Sequence, residues 1–95
     1  MNLIERAIRE AYAAESAYRQ QQLGYQDHVW VMIVSIREDI AGRWSRAEID
    51  ETLRSMARGD DVVIAPENNQ KILTPAQRYG AVIIGQQEKH MMMIY

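Results

Sequence analysis

The sequence contains no cysteine and no phenylalanine, and only two prolines and five glycines. Without cysteine there is no disulfide, no thiolate-ligated zinc or iron–sulfur cluster and no cysteine nucleophile, so the fold rests on its apolar core alone. Gly24, Gly42, Gly59, Gly80 and Gly85 are scattered singly, which excludes a glycine-rich loop to cradle a phosphate. No stretch approaches the roughly 18 consecutive apolar residues of a membrane span. Asn2-Leu3-Ile4-Glu5-Arg6 also lacks the basic head and apolar run of a secretion signal, so a cytoplasmic protein without membrane contact is expected. Neither sign of charge dominates, with 11 Lys and Arg against 13 Asp and Glu and a net charge of −2. The broad positive excess that releases counterions from nucleic acid is therefore missing, and any such contact must come from a local patch.

What is present suits one small globular domain. The 95 residues are 47% hydrophobic and 25% charged, an ordinary soluble composition and enough for one modest core. From Asn2 to about Gln21 the apolar positions Ile4, Ile8, Ala11 and Tyr18 repeat at helical spacing, broadened by Leu3, Ala7 and Ala14. Glu5 precedes Arg9, and Arg6 precedes Glu10, by four residues, which puts opposite charges in register on that helix. Gly24 is a stop and Asp27 a candidate N-cap for the next element.

Residues 28–40 are read as a central helix, because Val29, Ile33, Ile36 and Ile40 keep a 4-3-4 spacing and Gly42 follows as a left-handed cap. The β-branched run Val29-Trp30-Val31-Met32-Ile33-Val34 would also suit a strand, so residues 28–36 stay open between the two. Ser45-Arg46-Ala47-Glu48 is a capping box that starts a helix, with Trp44 as a hydrophobic staple, Ile49, Leu53 and Met56 as the buried stripe and Gly59 as the stop. Val62-Val63-Ile64-Ala65 and Lys71-Ile72-Leu73 flank a polar turn and read as a β-hairpin. Thr74-Pro75-Ala76-Gln77 repeats the helix-start grammar for a short helix to about Ile84, and residues 90–95 form a terminal strand. The expected fold is α+β: a helical body with a β-hairpin wing and a small antiparallel sheet from 62–65, 71–73 and 90–95. Its parts are an N-terminal helix and turn (1–24), a helix-turn-helix with hairpin (28–74) and a short helix with a strand (75–95).

Catalytic chemistry finds little to work with. His28 and His90 are the two available bases, and neither lies in the context of an activated nucleophile or at metal-ligand spacing. The acids Glu38-Asp39, Glu48/Asp50/Glu51 and Asp60-Asp61 lie on charged helix faces or at helix ends beside arginines, where solvated surface is the simpler reading than acid/base work. No catalytic residue, cofactor or metal is predicted, and the protein is expected not to be an enzyme.

The order helix, helix, the turn Gly42-Arg43-Trp44-Ser45, capped helix and hairpin over residues 28–74 resembles a winged-helix domain. The resemblance implies a helix 45–58 lying in the DNA major groove, with Arg43, Arg46, Arg54, Ser55 and Arg58 toward DNA. It also implies a hairpin tip at 66–71 that presents Asn68, Asn69, Gln70 and Lys71. The sequence departs from the pattern in three ways. Glu48, Asp50 and Glu51 sit on the helix that would face phosphate, the central helix is long, and a helix and strand follow the hairpin. A small regulatory module binding DNA is the first expectation. A protein-interaction or inhibitor module without DNA contact, using the apolar terminal strand, is the alternative. In that reading Met91, Met92, Met93 and Tyr95 form an interface that also serves a homo-oligomer. Burial of the methionines inside the domain is the competing account of the same residues.

Overall fold

The computed structural model describes residues 2–24 and 29–95. Along the chain run α1 (Leu3–Leu23), β1 (Val31–Met32), α2 (Ile33–Asp39), α3 (Arg46–Ala57) and β2 (Val62–Ala65), then a 3₁₀ turn at Gln70–Ile72. The chain closes with α4 (Pro75–Tyr79), β3 (Val82–Ile84), β4 (Gln87–Lys89) and β5 (Met91–Ile94). Two antiparallel sheets result, one with strand order β1-β5-β2 and the other the β3–β4 hairpin, so the fold is α+β. One cluster of buried side chains joins Ile8 and Tyr12 of α1, Ile33 and Ile36 of α2, Leu53 and Met56 of α3, and Val62, Val82 and Met92 of the strands.

Local chemistry sets most of the helix ends. The Asn2 side chain accepts a hydrogen bond from the Glu5 amide at 2.7 Å, and Gly24 closes α1 in the left-handed region at φ 77°, where a side chain would be strained. Both predicted capping boxes are present, Ser45 with Glu48 and Thr74 with Gln77. The expected Asp27 cap and the start at His28 lie outside the described residues.

Four expectations need correction. Of residues 28–40, β1 takes Val31–Met32 and the helix begins only at Ile33. Met32 has no capping side chain, and the Ile33 amide is satisfied instead by the His90 carbonyl at 2.9 Å. Pairing with β5 thus displaces the first helical turn, yet Val29, Ile33, Ile36 and Ile40 are all buried as their spacing required. Residues 71–73 are not a strand. Asn69 caps a 3₁₀ turn there by accepting from the Lys71 amide, and β2 pairs with β5 instead, Val62 opposite Ile94 and Ile64 opposite Met92. The helix from Pro75 stops at Tyr79 instead of about Ile84, because the β-branched run Val82–Ile84 pairs with β4. Residues 86–89 are likewise more than a turn. Gly85 and Gln86 both have positive φ, 59° and 66°, the backbone of a two-residue hairpin loop that matches strand twist, and Gln87–Lys89 form the second strand.

β5 therefore runs down the middle of its sheet. Met92 and Met93 are buried and Met91 is half-buried, which leaves Tyr95 as the exposed member of the expected C-terminal patch. Among the described residues no helix is long and apolar enough to cross a membrane.

Candidate functional site

Residues 66–90 leave the sheet at β2 and return to it at β5, and in between they pack against two helices, α4 on α2 and β3 on α3. Three arginines fasten this excursion by its backbone. Arg37 of α2 donates from Nε to the Gly80 carbonyl at 2.7 Å, and from Nη2 to the Ala81 carbonyl at 3.3 Å and to Asp50 Oδ1 at 2.5 Å. Arg46 of α3 donates to the carbonyls of Tyr79 and Ala81 at 2.6 and 2.9 Å and lies over the Tyr79 ring, 4.7 Å from its centroid. Arg54, two turns further along α3, donates to the Ile83 carbonyl at 2.8 Å. A planar fork with five donors suits this task, because one guanidinium can satisfy several carbonyls that no strand partner reaches.

The Arg37 and Asp50 side chains are only 12% and 15% exposed. Burial pushes the Arg37 guanidinium below its usual range, and the hydrogen bond and charge of Asp50 act against that shift. The sequence reading set the neighbouring Glu38-Asp39 on a solvated face and did not single out Arg37. Nothing in the local pattern marks it as different, since its partners lie 13, 43 and 44 residues away. Gly80 sits directly on α2, where a Cβ would meet Val34 Cβ at 2.6 Å and Val34 Cα at 3.0 Å, so only glycine allows this approach.

With Arg46 and Arg54 turned onto the excursion, the outward face of α3 is left to Ala47, Glu48, Glu51, Ser55 and Arg58, all exposed. The Ser45 amide and hydroxyl hold the Glu48 carboxyl below its usual range, so it carries full negative charge at neutral pH. Beside this face stand Tyr79, 78% exposed, and Ile83, 45% exposed, whose backbones the arginines grip. The structure thus brings Arg46 and Arg54 together with residues that the sequence reading had not selected. Arg43 lies apart in the α2–α3 turn, stacked 4.5 Å from the Trp44 ring centroid. Asn68 and Lys71 are exposed and Asn69 is spent on its 3₁₀ turn, while the Gln70 amide donates to the Glu67 carbonyl; none of the four is hydrogen-bonded to α3.

No family model, curated protein or solved structure matches the chain.

His90 has a structural place. Its ring is buried and Nδ1 accepts from the Glu67 amide at 3.1 Å, while its backbone amide donates to the Ala65 carbonyl at 3.0 Å. With the Ile33 amide on its carbonyl, this one residue ties β2, α2 and the start of the excursion to β5. Among the described residues no cluster of three or more His, Asp or Glu could hold a metal ion.

Proposed function

We propose that the protein is a small non-enzymatic regulatory module of winged-helix-like plan that works by binding another protein through α3 and the flanking excursion. The plan is supported by the element order. Helix, turn, capped helix and the strand β2 follow one another, and after the 66–90 excursion β5 takes the place of residues 71–73 as the antiparallel partner of β2. The partner class is argued from one observation: Arg46 and Arg54 are turned onto the protein's own carbonyls, Arg54 also pairing with Glu51 at 3.6 Å, which leaves exposed Tyr79 and Ile83 beside the acids Glu48 and Glu51. Apolar anchors rimmed by acids repel phosphate and suit a partner that offers an apolar side chain among basic ones.

A second reading keeps DNA as the partner, because Arg58 and Lys71 are exposed and make no ion pair among the described residues. Fluorescence anisotropy of a labelled random duplex, titrated at low salt and again at physiological salt, separates the two. No saturable binding at low salt is expected. Binding that falls steeply with salt, and whose salt slope becomes shallower by about one per removed charge in Arg58→Ala and Lys71→Ala, would overturn the protein-partner reading.

A further inference from the structure

α1 continues to Leu23, although Tyr12 is its last buried residue. Along its open side runs a shallow groove walled on the far side by the α2–α3 turn with Asp39, Ile40 and Arg43. One end of the groove carries Leu3, a large apolar side chain that is 72% exposed. The other end is a hollow floored by Ala11 and Ala14 and closed by Tyr18, which is 62% exposed. Between the ends lie Arg6 and Glu10, paired along the helix and each about two-thirds exposed.

We infer that this groove binds a second copy of the chain, α1 against α1 in antiparallel fashion. An isologous interface must match itself under a half-turn, and this one does so in two independent respects. A two-fold axis midway between positions 3 and 14 seats each Leu3 in the hollow of the other copy, over Ala14 and against Tyr18. The same rotation brings the Arg6–Glu10 pair to within one residue, about 1.5 Å, of its own reverse, so that each Arg6 side chain reaches the Glu10 of the second copy without changing helix face. Ala14, exposed and small, leaves room over the hollow for the Leu3 side chain of the second copy. A seam confined to the first half of α1 is smaller than a standard interface, so the dimer is weak and forms in the micromolar range.

Sedimentation velocity on the full chain from about 5 to 500 µM tests this, since that range brackets a micromolar Kd. The wild type is expected to move from 11.0 kDa toward twice that mass. Leu3→Ala should weaken association at least tenfold, and Glu10→Arg should do the same by setting Arg6 against a new cation. The double variant Arg6→Glu/Glu10→Arg preserves the pair along the helix and should return association to within about threefold of wild type. Each substitution lies on an exposed side chain, and an unchanged circular dichroism melt at low concentration shows that the monomer is intact. A monomer at every concentration, or a dimer indifferent to Leu3→Ala and Glu10→Arg, overturns the inference.

Discussion

Replacing Gly80 by alanine is the sharpest test of how the excursion is held. Gly80 has φ −76° and ψ −5°, a conformation open to any L-residue, so an unhindered Gly→Ala change would stabilise by about 0.4–1 kcal/mol through the unfolded chain. The contact with α2 reverses that sign. The new methyl would stand 2.6 Å from Val34 Cβ and 3.0 Å from Val34 Cα, where ordinary contacts begin near 3.4 Å, so the gap must open by nearly an ångström. Because the nearest atoms are the first carbon of the side chain and the backbone, no rotamer of Val34 relieves the clash, and α4 must lift from α2. Overpacking of this kind costs roughly 1–3 kcal/mol. Lifting also stretches the Arg37 bonds to the Gly80 and Ala81 carbonyls, and a hydrogen bond to a charged group contributes about 1.5–3 kcal/mol. A net loss of about 2 kcal/mol is expected, which for a domain of this size lowers Tm by about 8–16 °C. Urea unfolding followed by circular dichroism measures it, and the same substitution in a Val34→Gly background should cost less by at least half. A Gly80→Ala protein as stable as wild type, or more so, would refute the account of this contact.

Other consequences are open to equally direct measurement. Asp50→Ala strips the carboxylate from the buried Arg37 guanidinium and should destabilise by roughly 3–5 kcal/mol in denaturant melts, whereas Arg37→Met/Asp50→Leu, which removes both charges but also the donor to the Gly80 carbonyl, should recover only part of the loss. Arg9 forks onto both carboxylate oxygens of Asp61, at 2.8 and 3.3 Å, and this bond holds the Asp61 carboxyl below its usual range near 4. A depressed folded-state pKa gives stability that is present above the unfolded value and lost as pH falls through the folded one. The advantage of wild type over Asp61→Asn should therefore be full at pH 6 and vanish progressively below about pH 4, as followed by melts across that range. His90 Nδ1 accepts from the Glu67 amide, so its ring proton resides on Nε2, and the ring ¹⁵N shifts should report that tautomer; the opposite tautomer would remove His90 as the anchor of the excursion.

Sequence periodicity identified most of the core and several of the helix ends, because both follow from nearest-neighbour chemistry. Ile33, Ile36, Ile49, Leu53 and Met56 are buried where their spacing placed them, and the Ser45 and Thr74 boxes close on the predicted partners. Two of the failures share a cause, which is strand pairing across long separations. β1 could not be told from a helix because its partner β5 lies some sixty residues on, and the segment 71–73 looked like the partner of β2 because that partner had to be sought nearby. The short helix was drawn through Val82–Ile84 for a different, local reason. Gly85-Gln86 is not a favoured two-residue turn sequence, and only the hairpin itself forces Gln86 into positive φ. For the candidate site, the arginines of α3 were visible and their direction was not, since that depends on where the carbonyls of residues 79, 81 and 83 come to lie.

That last point bears on the proposed partner. A guanidinium on an exposed helix has two uses, to meet a partner or to satisfy the chain's own backbone, and one held against the chain's carbonyls cannot swing out to a phosphate without releasing them. α4 and β3 are too short to bond all their carbonyls internally, so carbonyls 79, 80, 81 and 83 need outside donors, and Arg37, Arg46 and Arg54 supply them. Pulling Arg46 and Arg54 outward to meet phosphate would leave those carbonyls without donors and loosen the excursion that carries Tyr79 and Ile83. A partner that instead seats on Tyr79 and Ile83 and brings cations to Glu48 and Glu51 uses the face as it is built, and its binding reinforces the arginine clamp. Arg54→Ala should on this argument weaken such a partner more than its own charge warrants, because the backbone beneath Ile83 is released along with it.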